Sequence, residues 1–411
     1  MRFLTTFANV PLLLIAVLGI MLSLPADAQA YTFGDWATAE GYSPGTTMPQ
    51  TVYAAWAPPA ITDLVGIGNY DWTTTPTLTL YLKNNQLSSI ESGDFTGLTD
   101  LRYLYLQNNQ LSSIESGDFT GLTNLTYLNL ENNQISSIES GDFTGLTDLR
   151  WLWLGYNQIS SIESGDFSGL TDLRWLYLYN NRISNIESGD FSGLTNLALL
   201  SLGGNQISSI ESGAFTGLTN LTELHLGDNT PMTSLNLEGS DFSSLTYFDV
   251  RGNTNMTSVS LKNAVLSQAA LETLLDGGSS SYSYIGIGEL SGITELDLSG
   301  VDFVAITDLT PLGAMDDLAD LWLLGVSNMD AAGLDLLLDE LAVMEGTATE
   351  GVLYLMQSDY DAFNTAGGGR LAAWDAEIGH HVQIVPEPAT LSLLSLGGLA
   401  MLRRRRCKGR A

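Results

Sequence analysis

The sequence predicts an α/β solenoid with a parallel β-sheet on one face and irregular or short helical segments on the other. Three observations predict it: the chain repeats every 24 residues, each copy places two leucines two positions apart, and each copy carries an asparagine at a fixed position. Leucines two apart point to the same side of a short strand. Because a single coil cannot bury this apolar side, the copies must stack on one another.

The copy that starts at Leu101 shows how each part of the coil arises. Leu104 and Leu106 face the interior from one strand. Asn109 follows the strand, where its side-chain amide can satisfy backbone groups that would otherwise be buried and unpaired. The other apolar positions that close the coil are Leu111, Ile114 and Phe119. Stacked coils place their parallel strands about 4.8 Å apart.

Stacking turns two of these positions into ladders along the solenoid. The asparagines recur at Asn85, Asn109, Asn133, Asn157, Asn181, Asn205, Asn229 and Asn253. The phenylalanines recur at Phe95, Phe119, Phe143, Phe167, Phe191 and Phe215. The unit resembles the leucine-rich repeat, L-x-x-L-x-L-x-x-N-x-L, whose period is about 20 to 29 residues. The resemblance covers Leu78 to Asn253 and implies a leucine-rich-repeat horseshoe with its parallel sheet on the concave face.

The repeats divide the body of the chain into three predicted segments. Residues 31–76 lack the period and are rich in Trp, Pro, Gly and Thr, which predicts an N-terminal cap. Regular repeats occupy residues 77–262. Diverged repeats and a C-terminal cap occupy residues 263–385, and a separate C-terminal domain is the alternative for this segment. The tryptophans of the predicted N-terminal cap are Trp36, Trp56 and Trp72.

The diverged segment keeps strand-like cores but loses the regular period. Helix-like intervals separate these cores, for example Ser267 to Leu275 and Ala331 to Leu341. The stretch from Leu371 to Ile384, which contains Trp374, is predicted to seal the end of the solenoid. The strand-like cores are Leu296-Asp-Leu298, Leu321-Trp-Leu323 and Leu353-Tyr-Leu355.

The first thirty residues have the pattern of a secretory signal peptide. Arg2 supplies a positive charge, Val10 to Leu24 is almost wholly apolar, and Ala26 to Ala30 offers small residues for cleavage. An N-terminal membrane anchor is the alternative. The single cysteine, Cys407, lies in the terminal tail. The exported body therefore has no disulfide, and its stability must come from packing.

Residues 386–411 have three features in a fixed order. Pro386-Glu387-Pro388 is followed by the apolar stretch Ala389 to Leu402, which is shorter than the roughly 20 residues of a typical span. A basic cluster of Arg403, Arg404, Arg405 and Arg406 comes next. This order resembles the PEP-CTERM sorting signal. The resemblance implies recognition by an exosortase with cleavage near Pro386-Glu387-Pro388, transient membrane anchoring through the short helix, and a final location in the cell envelope, at the cell surface or outside the cell.

The charge balance excludes one class of partner. The chain has 15 basic and 46 acidic residues, and the body from residue 31 to residue 385 has 8 basic and 44 acidic ones, a net charge of −36. Affinity for nucleic acid depends on lysines and arginines that displace counterions from phosphates. We therefore expect no binding to DNA or RNA.

The outward strand positions vary between copies and are rich in large aromatic residues. In the four copies from Tyr103 to Tyr179, eight of the twelve outward positions are Tyr or Trp, and three arginines flank the same strands. Trp, Tyr and Arg are enriched at binding hot spots, and guanidinium groups suit carboxylates and sulfates. We predict a binding site for a glycan or a protein formed by Tyr103, Tyr105, Tyr127, Trp151, Trp153, Trp175, Tyr177, Tyr179, Arg102, Arg150 and Arg174. The alternative is that the rings stack across strands and only stabilise the sheet.

Two acidic columns follow the same period. The glutamates are Glu91, Glu115, Glu139, Glu163, Glu187 and Glu211, and the aspartates are Asp94, Asp118, Asp142, Asp166 and Asp190. Each aspartate stands where it could cap the short turn that begins at the next phenylalanine. We interpret the columns as a solvated acidic face without a metal site, and calcium bridging is the alternative.

The sequence carries no signal of an enzyme. Histidine occurs only at His225, His380 and His381, and no G-x-S-x-G elbow, phosphate loop or H-E-x-x-H motif is present. We therefore predict neither enzymatic activity nor a cofactor. Two hypotheses for function remain: a module that binds a glycan or a protein through its concave aromatic face, and a structural component of the envelope or matrix with no single ligand.

Overall fold

A computed structural model of the chain describes residues 32–41, 44, 51–54, 61–64, 67, 78–276, 293–301, 320–322, 352–356 and 381–385. The predicted signal peptide, the predicted sorting tail and the predicted helix from Ala331 to Leu341 lie outside the described residues. Trp56, Trp72 and Trp374 also lie outside them.

Short strands dominate the described residues. The helices are α1 (Phe33–Ala39) and α2 (Gln268–Asp276). The strands are β1 (Thr51–Tyr53), β2 (Leu78–Tyr81), β3 (Leu101–Tyr105), β4 (Tyr127–Asn129), β5 (Trp151–Trp153), β6 (Trp175–Tyr177), β7 (Asn185–Ile186), β8 (Leu199–Ser201), β9 (Ser209–Ile210), β10 (Glu223–His225), β11 (Ser234–Asn236), β12 (Tyr247–Asp249), β13 (Ser258–Ser260), β14 (Glu295–Asp297), β15 (Asp320–Trp322), β16 (Val352–Met356) and β17 (His381–Val385).

Nine parallel strands form the concave sheet, in the order β1-β2-β3-β4-β5-β6-β8-β10-β12. From β3 to β12, each residue pairs with the residue 24 positions later, as Tyr103 pairs with Tyr127 and Trp151 with Trp175. The predicted parallel solenoid of the leucine-rich-repeat type is confirmed. The 24-residue period of the sequence therefore sets which residues pair in the sheet.

The predicted asparagine ladder is present, and its hydrogen bonds join successive coils. The Oδ1 atom of Asn133 accepts a bond from the backbone N–H of Leu111 at 3.1 Å. Its Nδ2 group donates to the carbonyls of Leu106, at 3.1 Å, and Leu130, at 2.9 Å. One buried side chain thus satisfies backbone groups in two coils, and its equivalents from Asn85 to Asn229 make the same kind of contacts.

The predicted phenylalanine ladder is also present. Successive rings from Phe95 to Phe215 lie 6.2 to 6.4 Å apart, nearly parallel, and all are buried. The leucines that face inward from the strands, such as Leu104 and Leu152, are fully buried against them. Burial of apolar area is the main favourable term in folding, and here the buried residues form one continuous core along the coils.

The start of the solenoid contains a strand that the period does not predict. Strand β1 pairs in parallel with β2, so the concave sheet extends into the segment before the first regular repeat. Asn85 ties this segment to the ladder, because its side chain bonds the carbonyl of Ala54 and the N–H of Ile61. Helix α1 begins with a capping box between Thr32 and Asp35.

The strands predicted in the diverged segment are present but join a second sheet. This six-stranded sheet has the order β11-β13-β14-β15-β16-β17. Leu296 pairs with Val259, which pairs with Leu235, and Leu235 lies in the part of the coil that follows the asparagine. Here apolar and polar residues alternate in place of the usual Ser-Ser-Ile-Glu segment, and alternation favours a strand. The strand-like cores of the diverged segment therefore continue a different column of the coil from the concave strands.

The concave sheet ends at β12, and the strands after it in the chain belong to the second sheet. Helix α2 contacts β12, the last strand of the concave sheet, and buries Leu271, Leu274 and Leu275. Ser267 caps the helix, since its hydroxyl accepts a bond from the N–H of Ala270 at 3.1 Å. The predicted helix at 267–275 is confirmed. The division of the chain into caps and repeats stays a prediction.

Replacing Asn133 with Ala should lower the free energy of unfolding by about 3 kcal/mol, because the change leaves several buried backbone groups without a partner. Urea denaturation followed by circular dichroism measures it. Gln134→Ala, on the exposed neighbour, is the matched control and should change stability little. Equal stability of the two variants would show that the ladder is not needed.

Candidate functional site

The eight aromatic residues predicted as a site all lie on the outward side of the concave sheet. Pairing of the strands places Tyr103, Tyr127, Trp151 and Trp175 in one row. Alternation explains the arrangement, since Trp151 and Trp153 are half-buried on the outside while Leu152 between them is fully buried. The second row contains Tyr105, Trp153 and Tyr177, and Tyr179 follows β6.

Rings on neighbouring strands stack face to face. Trp151 and Trp175 have centroids 4.6 Å apart and planes within 1° of parallel. Trp153 and Tyr177 lie 3.8 Å apart at 15°. Because strands lie about 4.8 Å apart, like residues in one column bring their rings to stacking distance. The predicted cross-strand stacking is present.

The other contacts join most of these rings into one chain. Tyr105 lies 4.9 Å from Tyr127, Tyr127 lies 6.4 Å from Trp153, and Tyr177 meets Tyr179 edge-on at 6.3 Å. Tyr103 joins through Tyr127 at 6.3 Å. We call these rings, with the Trp151–Trp175 pair, the concave aromatic network.

Tyr179 spans two coils of the network. Its ring covers Gly155, where any Cβ atom would lie 2.8 Å from the ring, and its hydroxyl donates to Oε1 of Glu131 at 2.5 Å. Burial, followed by this bond, raises the pKa of Tyr179, and burial raises the pKa of Tyr105 to about 12. The phenol groups therefore remain protonated hydrogen-bond donors at neutral pH.

Sequence reasoning missed several members of the surface. Tyr81 stacks on Tyr105 at 4.4 Å and extends the network by one strand. Tyr156 is 52% exposed and lies edge-on to Tyr179 at 5.4 Å. Tyr156 has a positive φ of 53°, at a position where other coils have asparagine. Comparison of the copies at that position would have found it, because a bulky residue is unusual in this conformation.

Orphaned polar atoms concentrate on the same sheet. Among the described residues, four buried side-chain nitrogen or oxygen atoms have no hydrogen-bond partner in the protein. Three of them, Oε1 of Gln107, Nε1 of Trp153 and Nε2 of His225, belong to outward positions of the concave strands, and the last of these lies 3.5 Å from Oε2 of Glu223. Buried polar groups are normally satisfied, so Gln107 and Trp153 mark this face as unusual.

The three predicted arginines lie beside the network and not within it. Arg150 and Arg174 are exposed, each one residue before the first ring of its strand, and Arg102 is half-exposed at the same position of its coil. In the described part of the chain, the one recorded cation–π contact is between Lys83 and Tyr81. The structure thus places the arginines along the rim of the sheet.

Comparison with known protein families gives two matches, one to a repeat and one to a terminal motif. The family model described as "Leucine rich repeat" matches residues 77–135, 124–183, 178–230 and 197–254. The model described as "PEP-CTERM protein-sorting motif" matches residues 385–406. The chain therefore carries leucine-rich repeats over residues 77–254 and a sorting motif over residues 385–406. Both predicted resemblances are therefore confirmed.

The two matches together give a coarse function. Leucine-rich repeats are typically non-enzymatic binding scaffolds, and the sorting motif indicates export to the cell envelope or surface with processing by an exosortase. The leucine-rich-repeat protein is thus of the kind that serves as an extracellular protein-interaction module. Neither described helix has the length and hydropathy of a membrane span.

Comparison with solved structures also gives a match. This leucine-rich-repeat protein is similar to a chain of the "Octameric complex of Latrophilin 3 (Lec, Olf), Unc5D (Ig, Ig2, TSP1) and FLRT2 (LRR)". The identity is 20%, the TM-score is 0.40, and the match covers 75% of this chain and 85% of that one. Comparison with curated proteins gives no match.

The two acidic columns of the leucine-rich-repeat protein differ in burial. The glutamates, such as Glu115, are exposed as predicted. Four of the five aspartates are buried, and Asp118 is only 3% exposed, so the interpretation of this column as solvated was wrong. In the described residues, no three His, Cys, Asp or Glu side chains form a group that could hold a metal ion.

The buried aspartates cap the turn before them and not the one after. Oδ2 of Asp118 accepts a bond from the backbone N–H of Glu115 at 2.8 Å, and the other four aspartates make the same bond at 2.7 to 2.8 Å. The predicted direction of capping was therefore wrong. In the coil where Ala214 replaces the aspartate, the N–H of Glu211 bonds the carbonyl of Ile186 instead.

Burial makes this column sensitive to pH. It raises the pKa of Asp118 and Asp190 to about 6, from an ordinary value of 3.8, although the bond from the glutamate N–H opposes the shift. The native state therefore binds more protons than the unfolded state between about pH 4 and pH 6. The free energy of unfolding must fall as the pH rises through this window.

Asp118→Asn should be more stable than the wild type at pH 7, because the amide keeps a hydrogen-bond acceptor and removes a buried charge. The advantage should disappear near pH 4, where Asp118 is protonated. Urea denaturation at both pH values measures it, with Glu115→Gln as an exposed control of equal charge change. A variant that is less stable than the wild type at pH 7 would contradict this role of burial.

Proposed function

We propose that this leucine-rich-repeat protein is a non-enzymatic binding protein of the cell envelope or surface that recognises a protein partner through the concave aromatic network. The observation that carries the proposal is the face-to-face stacking of the rings, which decides the kind of contact that they can offer. The sorting motif supports the location.

A sugar that stacks on an aromatic side chain needs one free ring face. In the pairs Trp151–Trp175 and Trp153–Tyr177, the rings stack along the direction that joins neighbouring strands, so their faces are turned toward the next strand and not out of the sheet. The rings therefore present mainly their edges to the concave surface. Ring edges, phenol hydroxyls and indole N–H groups suit the carbonyl groups and apolar side chains of another protein.

The charge of the surface also favours a protein over an acidic polysaccharide. Among the outward positions of β3 to β6 and the turns that follow them, Glu131 is the one charged side chain, and it accepts the bond from Tyr179. The patch is therefore nearly neutral, whereas the body around it has a net charge of −36. An anionic polymer would be repelled by the body and would meet no cation within the network.

The orphaned atoms support the same surface. Oε1 of Gln107 and Nε1 of Trp153 lack partners within the chain, and a bound polypeptide could supply a donor to the first and an acceptor to the second. Making these bonds would recover the free energy lost when the atoms were buried unpaired.

The test compares the full-length chain with two double variants. Trp151→Ala with Trp175→Ala should raise the dissociation constant for the partner at least about tenfold, since large aromatic residues dominate binding hot spots. Glu139→Ala with Glu163→Ala, on the exposed acidic column, is the matched control and should bind as the wild type does. The probes are the fractionated envelope proteins of the producing cell, with the bound protein identified and titrated, and the exopolysaccharide of that cell.

Circular dichroism confirms that each variant is folded. A third double variant, Trp151→Phe with Trp175→Phe, tests whether a stacked pair without the indole groups is sufficient for binding. Loss of exopolysaccharide binding in the tryptophan variant would replace the protein partner with a glycan. Equal behaviour of all variants with every probe would contradict the site and favour a structural component of the envelope.

A further inference from the structure

We propose that two copies of this chain associate through a strip on the rim of the concave sheet, in which a row of aspartates runs beside a row of arginines. The strip is separate from the concave aromatic network, so the proposal goes beyond the proposed function. Its members, which we call the rim strip, are Asp100, Arg102, Asp148, Arg150, Asp172 and Arg174.

The rim strip consists of two parallel rows. In the sequence Asp148-Leu149-Arg150, the leucine is fully buried while the two charged residues on either side of it are exposed, so both charges point away from the core. Backbone bonds stack the coils, since the N–H of Arg174 donates to the carbonyl of Arg150 at 3.0 Å. An acidic row and a basic row therefore run side by side along the solenoid.

Among the residues that the structure describes, the charges of the rim strip have no ion-pair partner. In the described part of the chain, the contacts within 4.0 Å between a basic and an acidic side chain are His225–Glu223 and Arg251–Asp249. Neither pair involves the rim strip. Three of the eight basic residues of the body nevertheless lie here, in a protein otherwise dominated by carboxylates.

Comparison of the copies shows that aspartate and arginine occur together. Coils with aspartate at the first position have arginine two residues later, whereas Asn124 is followed by Thr126 and Asn196 by Ala198. Asn124 donates a hydrogen bond to the carbonyl of Thr99 at 2.7 Å, and Asn196 makes the equivalent bond at 2.9 Å.

An ionised aspartate cannot make that bond, because a carboxylate only accepts. The coils with Asp148 and Asp172 therefore give up a contact between coils that their neighbours keep. No hydrogen bond among the described residues compensates for the loss, and an arginine of a second copy would. The same coils also carry arginines, which could pair with the aspartates of a second copy.

A second copy fits the rim strip by symmetry. A two-fold axis parallel to the strip, lying between its rows, places the acidic row of one copy opposite the basic row of the other. The axis keeps each coil at its own height, so Asp148 faces Arg150 of the second copy, and Asp172 faces Arg174.

The charge of the body favours this contact over others. Two bodies of net charge −36 repel each other in any orientation that brings carboxylates together. At the rim strip, the aspartates of one copy would instead attract the arginines of the other. Exposed ion pairs are individually weak, so the dimer should be sensitive to salt.

The experiment uses two variants of the full-length chain in detergent micelles. The acidic variant carries Arg102→Glu, Arg150→Glu and Arg174→Glu, and the basic variant carries Asp100→Lys, Asp148→Lys and Asp172→Lys. Sedimentation equilibrium gives their masses, alone and mixed, and circular dichroism confirms their folding. We expect the wild type to form dimers, each variant to be monomeric alone, and the mixture to form heterodimers.

Raising the salt concentration from about 50 mM to 500 mM should weaken the wild-type dimer about tenfold, since the Debye length shortens. A variant that exchanges the two rows, with Asp148→Arg, Arg150→Asp, Asp172→Arg and Arg174→Asp, is self-complementary again and should form dimers. A monomeric wild type at low salt would overturn the proposal, as would dimers that persist in both single-sign variants.

Discussion

The hydrogen bonds of the asparagine ladder are the constraint on which the rest of this structure depends. Each coil turns sharply after its concave strand, and the turn buries backbone groups that no strand can pair. Asn133 and its equivalents supply a donor and an acceptor to these groups in two coils at once. Because an unsatisfied buried polar group is costly, the ladder holds successive coils in one register.

A fixed register of 24 residues turns every position of the coil into a column. Like residues then meet at the spacing of adjacent strands, with consequences that depend on their chemistry. Phenylalanines inside the coil pack into a continuous core, and tyrosines and tryptophans outside it stack face to face. Burial of the aspartates raises the pKa of Asp118 and Asp190 to about 6, and the like charges of neighbouring carboxylates add to the rise. The concave aromatic network and the buried acidic column therefore have the same origin.

Features that depend on the period could be predicted from the sequence, and those that depend on rotation of a side chain or on an aperiodic segment could not. The solenoid, the asparagine bonds and the placement of Trp151 and Trp175 follow from spacing alone. Spacing does not show that Asp118 turns back toward Glu115, because either neighbouring turn offers free N–H groups. Strand β1 lies where no repeat is visible, and the second sheet begins where the alternation near Leu235 changes the part of the coil that forms a strand.

Recognition by the network can be measured most directly without knowledge of the partner, by hydroxyl-radical footprinting of the chain on intact cells and after purification. Binding through ring edges predicts that Trp151, Trp153 and Trp175 are oxidised less on the cell than in the purified chain. Carbodiimide labelling of Glu115 and Glu139, on the exposed acidic column, should be the same in both. Equal oxidation of the three tryptophans on the cell and in solution would contradict a concave binding site.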